Sequence, residues 1–321
     1  MNKDKHRFYD FFDKILSISK FNISIIKTLS ARNESNIYLL FDIFYVVANC
    51  YRDFFFRKKD FIILREFNTI PFLISAIFLI PVSKYIILNV NHNFQKASKS
   101  RIHSFAIHCF DFFGFTYLCF EGEFNLLKFK REIISIPFPM EPLISTHSKS
   151  KCDLISIGFI GSYREEKNIE SLLEVLNLIK GCELILGTDK VSLLEEYKGK
   201  GWTVYNTTDY QNYLKAINGI DILIVNYSKD SYNFRHSGVI TDFIYQGKLV
   251  IVPKFEFFSA QILTPCRVGE LFESLDEIPF IIENKLDELI LYREGNIKKY
   301  IEYRSYNLVT QSFDYQLSNR G

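Results

Sequence analysis

Two segments of the sequence hold residue types that grip phosphate. In IGFIGSYREEKNIESLL an apolar run ends at Gly161 and Ser162, and Arg164 and Lys167 follow three residues apart at the entrance of a helical pattern. Two cations beside a helix N-terminus, whose first N–H groups have no intrahelical partner, can share one anion; solvated surface charge is the competing reading. In SYNFRHSGVITDFIYQGKLVIVP, Arg235, Ser237 and Gly238 open a second helical pattern, with Asp242 one turn inside it. A serine and a glycine at a helix start offer a further phosphate cradle, and a carboxylate one turn in can accept hydrogen bonds from a ribose diol. Ordinary N-capping accounts for Ser237 as well. No G-x-G-x-x-G or P-loop pattern accompanies them, which counts against a dinucleotide site, and no G-x-S-x-G elbow is present.

The elements around these segments alternate. From residue 154 onward, short continuously apolar runs (LISIGFIG, ELILGT, DILIVNY, KLVIVP) separate amphipathic stretches such as EKNIESLLEVLNLIK. Continuous apolarity suits parallel strands covered on both faces, and βα alternation predicts a doubly wound domain. Ligands of such sheets sit at the carboxyl ends of the strands, where Gly161 and Ser237 would then lie. The front half predicts a second α/β domain, with strands at NISIIKTL, FIILREF, KYIILNVNH and FTYLCFEG and helices over 36–55 and after Thr69. The polar stretch at 145–153 reads as a linker, giving domains 1–150 and 151–321, with the last helix crossing back to the first. Two strand ends of the front domain carry chemistry. His92 can reach a sugar hydroxyl or serve as a hydrogen-bonded structural histidine. Arg65 and Glu66 can touch an acceptor or form a plain surface pair.

Together, SYREEK and TDFIYQGKLVIVP resemble the donor domain of the GT-B nucleotide-sugar glycosyltransferases, family 4. In that family an R-x-x-K pair holds the donor diphosphate, which the resemblance places on Arg164 and Lys167. The second acid of a Glu-x7-Glu element, just before a Gly-(Lys/Thr)-Pro-Val-Ile run, falls on Asp242. The first Glu is not matched: Phe234 stands there, followed by Arg235 and His236, and RHSGV is similar to an R-x-SG form found in related transferases. The likeness covers residues 153–280; over the front half it rests on domain order and His92. It implies two doubly wound Rossmann-like domains facing across a cleft, with a nucleotide-diphosphate sugar as donor and a glycan or lipid-linked oligosaccharide as acceptor. It further implies retention at the anomeric carbon, no metal cofactor, and a place in surface-polysaccharide assembly. A sugar-nucleotide epimerase and a non-catalytic sugar-binding subunit of the same architecture stay open.

Composition narrows the partners. The 321 residues carry a net charge of +2, too balanced for a dedicated nucleic-acid binder. Residues 1–150 hold 20 Lys+Arg against 13 Asp+Glu, and the rest 19 against 24, so the front half is basic and the back half acidic. YRDFFFRKKD mixes phenylalanines with cations, a composition suited to an anionic membrane surface. Six scattered cysteines without a C-x-x-C pair suit a reducing cytoplasm. The N-terminus lacks a signal-type apolar run, and Ile70 to Val82 is too short to span a bilayer. A cytoplasmic protein, peripheral at most on the inner membrane face, is expected.

Overall fold

A computed structural model describes residues 13–27, 36–65, 67–121, 129, 133–139 and 155–319. The linker stretch at 145–153 and Glu66 lie outside them. The chain divides into two compact units: Lys5–Pro139 with Tyr306–Gly321, and Met140–Ser305.

In the first unit, β1 (Ile23–Lys27), β2 (Phe61–Arg65), β3 (Ile86–Asn89), β4 (Thr116–Phe120) and β5 (Ile134–Ile136) form one parallel sheet in sequential order. The runs of β2, β3 and β4 are buried at nearly every position. Between them stand α1 (Asn36–Tyr51), α2 (Thr69–Leu79), α3 (Asn91–Ala97) and α4 (Arg101–Phe113). Because β1 to β4 follow one another in the sheet, right-handed crossovers carry these helices over the same face. Among the described residues this sheet runs in sequential order, and the strand reversal that marks a switch point lies in the second unit. Gly114 ends α4 in the left-handed region, at φ 90°, where a glycine has no Cβ to clash.

The second unit holds six parallel strands in the order β11-β10-β9-β6-β7-β8. The strands are β6 (Ser156–Ile160), β7 (Glu183–Thr188), β8 (Thr203–Asn206), β9 (Ile222–Ile224), β10 (Leu249–Pro253) and β11 (Gly269–Phe272). The chain enters at β6, winds outward through β7 and β8, then returns to the other side of β6 at β9. Close approach of β6 and β7 requires Gly158, since a Cβ there would lie 2.1 Å from the Ile185 carbonyl oxygen. The helices of this unit are α5 (Ile169–Leu176), α6 (Val191–Gly199), α7 (Tyr210–Gly219), α8 (Lys229–Tyr232), α9 (Gly238–Tyr245), α10 (Glu256–Leu263), α11 (Glu277–Asn284) and α12 (Leu286–Tyr303), while α13 (Tyr306–Ser318) packs on β5 of the first unit.

Candidate nucleotide-sugar site

The reversal between β6 and β9 is the topological switch point of the second sheet, where open α/β sheets bind ligands. Two loops border it: 161–168, after β6, and 225–237, after β9. They are tied backbone to backbone, Ser228 N–H donating to the Glu166 carbonyl at 2.7 Å. The first loop is braced on its outer side by Asp189, which accepts from the Tyr163 N–H at 2.6 Å, and by Glu170, which takes the Tyr163 hydroxyl at 2.7 Å and Lys190 at 3.2 Å. The helix does not open near Glu166, as its sequence pattern predicts. Residues Glu165–Lys167 form a 3-10 turn, and Asn168, in the left-handed region at φ 43°, separates it from α5. Asparagine tolerates that conformation better than most residues.

This turn sends the Lys167 side chain inward, where only 5% of the residue stays exposed. Its ammonium donates to the Ser162 carbonyl at 2.8 Å, lies 3.4 Å from the Ser162 hydroxyl and sits 5.4 Å over the Tyr227 ring. Burial, reinforced by the neighbouring Arg164 guanidinium, lowers its pKa to about 8. Gly161 makes the space: a Cβ there would lie 2.9 Å from the Lys167 nitrogen. Arg164 remains half exposed, 3.9 Å from the Glu166 carboxylate.

The second loop supplies the opposite wall. Tyr227 and Tyr232 lie with ring centroids 4.3 Å apart, and both contact Phe258. Burial pushes both phenols up, while the field of Arg164 pulls each down and that of Arg235 acts on Tyr232. Lys167, Arg164 and Arg235 therefore surround one aromatic cluster. Ser237 caps α9, its hydroxyl accepting from the Ile240 N–H, and it also hydrogen-bonds the Tyr227 phenol. The capping role expected for Ser237 as one of two alternatives is present. Gly238 differs: a Cβ there would meet no atom within 4 Å, so protein packing does not call for this glycine. The Cα of Gly238 at the start of α9 thus borders open space on its side-chain side. A Gly238→Ala variant should keep its melting temperature and lose about tenfold in donor affinity, about 1.4 kcal/mol; unaltered affinity by calorimetry would place no ligand against this turn.

Asp242, 8% exposed, accepts from the Tyr213 hydroxyl of α7 at 2.9 Å. Phe234 is fully enclosed in the core, so the position where the resembling family carries its first glutamate faces inward here. His236 contacts the Thr241 hydroxyl at 2.8 Å and Gln261 of α10 at 3.2 Å, and Gln261 donates to the Ser237 carbonyl at 3.1 Å. Tyr213, Tyr227 and Gln261 are missed by sequence reasoning, because they meet Asp242, Lys167 and Ser237 only in the folded domain; that reasoning gives His236 no role of its own. Lys248, in the matched GKLVIVP run, donates to the Asn218 and Ile220 carbonyls. It closes the C-terminal end of α7, a structural role.

In the first unit, Arg65 ends β2 beside Lys27 of β1 and is 5% exposed. Arg65 is therefore not a surface residue, and Glu66, the other half of the pair considered for it, lies outside the described residues. Instead it joins Lys27, Asn49, Arg52 and Asp53 around a cavity of about 480 Å³. His92 is exposed in the first turn of α3, one turn past the end of β3. Among the described residues, no three His, Cys, Asp or Glu side chains come together as metal ligands do.

No family model and no curated protein matches the chain. Solved structures do. The lipopolysaccharide outer core galactosyltransferase WaaB superposes with a TM-score of 0.63 at 14% identity, over 89% of this chain and 83% of that one. Sucrose-phosphate synthase from Thermosynechococcus elongatus gives 0.61 at 12%, over 88% and 79%. Anabaena HepE, solved with UDP and glucose, gives 0.55 at 12%, over 89% and 82%. At these identities the likeness establishes architecture: the chain has the GT-B fold of these glycosyltransferases.

Proposed function

We propose that this chain is a glycosyltransferase of hexosyltransferase type. It would move a sugar from a nucleotide-diphosphate sugar to a glycan or lipid-linked oligosaccharide acceptor in surface-polysaccharide biosynthesis, of capsule or O-antigen kind. The observation that carries this reading is Lys167: a cation held in the interior at the switch point, against its desolvation penalty, with a glycine making room for it. The names of WaaB and HepE, and the UDP bound by HepE, support the donor class.

In this reaction the bond from the anomeric carbon to the diphosphate oxygen breaks, and its electron pair stays on the diphosphate. The acceptor hydroxyl oxygen bonds to that carbon on the same face, and its proton passes to the leaving phosphate oxygen. Lys167 and Arg164 stabilise the charge that grows on the leaving group, fixed in place before the reaction starts. Gly161, Ser162 and the N–H groups at Gly238 line the diphosphate, Asp242 holds the ribose, and Arg235 takes the sugar-side position left by the absent glutamate. His92 remains the candidate for a role on the transferred sugar, and Arg65 and Glu66 for one on the acceptor. No metal or other cofactor takes part. The protein works on the cytoplasmic face of the membrane as a peripheral component.

A thermal-shift panel of UDP-, GDP- and dTDP-sugars tests the donor class. A ligand at about 100 times its Kd stabilises the native state by about 2.7 kcal/mol. One base class should raise the melting temperature, and Lys167→Met should abolish the shift; a flat panel sinks the proposal. The enclosed Phe234 favours one rival, a sugar-binding subunit without turnover. Radiolabelled donor incubated with acceptor extract separates the two, since only the transferase forms labelled glycan.

A further inference from the structure

Helix α2 packs between α1 and α4 on one face of the first sheet, and the Tyr51 hydroxyl at the end of α1 donates to the Phe78 carbonyl of α2 at 2.7 Å. The inner sides of these helices are core: Val46, Cys50, Phe72, Ala76, Ala106 and Phe110 are buried. Their outer sides should be polar in a water-facing layer, and they are not. Helix α2 contains no charged residue, and its outward stripe is Ile70, Ile74, Ile77 and Phe78. Beside it stand Phe44 of α1, 75% exposed, and Phe55 and Phe56 of the π-helical turn Arg52–Phe56, the latter 84% exposed. On the far side α4 adds Phe105 and Phe112. In the second unit, apart from the adjacent pair Ile290 and Leu291 on α12, exposed large apolar residues such as Leu178, Val191 and Phe280 sit singly on separate elements, which is ordinary for a water-facing surface.

The charge around this face has one sign. Arg52, Arg57 and Lys58 follow α1, Lys84 follows α2 and Arg101 opens α4, all of them exposed. Of the acids on the same three helices and turn, Asp42, Asp53 and Asp111 are buried, and Asp53, paired with both Arg52 and Arg57, offsets one of the five positive charges, leaving an exposed excess of cations. Exposed Asp60, at the foot of β2, accepts the Asn22 N–H.

We propose that this face docks on an anionic lipid bilayer, with α2 and the Phe55–Phe56 turn seated at the headgroup boundary and the cations over lipid phosphates. An apolar strip bordered by basic residues is the pattern of an element lying in the interface plane. At 11 residues α2 is too short to span, and among the described residues no helix is long and apolar enough to cross a membrane. A second copy of the chain is the poorer occupant, since a two-fold contact on this face sets cation against cation around the rim. The inference stands apart from the donor site.

Vesicle co-sedimentation of the full chain tests it, with no donor present. Vesicles of phosphatidylcholine with phosphatidylglycerol should bind the protein at least about tenfold better than phosphatidylcholine alone, with the preference lost in high salt. Ile77→Glu/Phe78→Glu and Arg57→Glu/Lys58→Glu should each lose about tenfold while remaining monomeric and folded. Should the variants misfold, hydrogen exchange on the parent protein gives the answer: vesicles should slow exchange in 69–79. Binding that ignores anionic lipid, variants that bind as the parent does, or a dimer broken by Ile77→Glu/Phe78→Glu without vesicle binding would each overturn the proposal. Loss of transfer activity with vesicle binding intact would bear on the donor site alone.

Discussion

A Lys167→Met variant should melt at a higher temperature than the parent protein and transfer sugar at least about a hundredfold to a thousandfold more slowly, the cost of one preorganised oxyanion donor. The two effects have one cause. A lysine whose pKa falls from 10.5 to about 8 on folding carries about 3 kcal/mol of unfavourable charge burial. Methionine fills nearly the same volume without that penalty. Its loss is the hydrogen bond to the Ser162 carbonyl, about 1.5–3 kcal/mol for a charged donor. The net gain is thus of order 1 kcal/mol, or a few degrees. A merely structural lysine gives the reverse pair of results, lower stability with transfer intact, and that outcome would remove Lys167 from the site.

The same pKa sets a pH signature with a definite sign. Between about 8 and 10.5 the unfolded chain holds a proton on Lys167 that the folded chain has released. Stability from this group therefore rises with pH across that window, and the advantage of Lys167→Met should shrink from pH 8 to pH 10. Donor affinity runs the other way. With Lys167 assigned to the diphosphate as proposed, only its ammonium could hold that anion, so the donor Kd should weaken about tenfold per pH unit above 8, and calorimetry near pH 9 should record proton uptake on binding. A pH-independent Kd would contradict the assignment.

How far the sequence carries depends on where each constraint resides. The strands of the second unit are legible because burial on both faces makes each an unbroken apolar run, closed by Gly161, Thr188 or Pro253. Arg164, Lys167, Ser237 and Asp242 are legible because their loop and helix positions are local. The start of α5 was not, since Asn168 breaks the pattern through a backbone angle that its neighbours do not advertise. Helix α10 is masked for another reason: in EFFSAQIL, adjacent Phe257 and Phe258 are both buried, which blurs the helical period. The first unit reads poorly because α1 and α2 are apolar on their outer faces as well as their inner ones, the feature that marks its exposed surface. Partners such as Tyr213 with Asp242, 29 residues apart, leave no trace in spacing.

Gln261 leads to the second large effect, which originates at Arg304. This arginine, at the end of α12, is 0% exposed; its guanidinium lies 4.3 Å over the Tyr300 ring and donates to the Gln261 carbonyl at 3.3 Å. The Gln261 amide in turn donates to the Ser237 carbonyl and to the Thr241 hydroxyl at 2.8 Å, beneath the first turn of α9. Arg304→Ala should cost about 3–5 kcal/mol, the range for emptying a large enclosed site, against a total stability of about 5–15 kcal/mol. Denaturant unfolding reads that loss. Arg304→Lys should recover less than half of it, because an ammonium cannot reproduce a planar group over a ring. Since Gln261 steadies the turn that presents the Gly238 N–H, folded Arg304→Ala protein at low temperature should also bind donor several-fold more weakly. A variant within 1 kcal/mol of the parent, with donor affinity intact, would show that α9 keeps its orientation without the chain from Arg304 through Gln261.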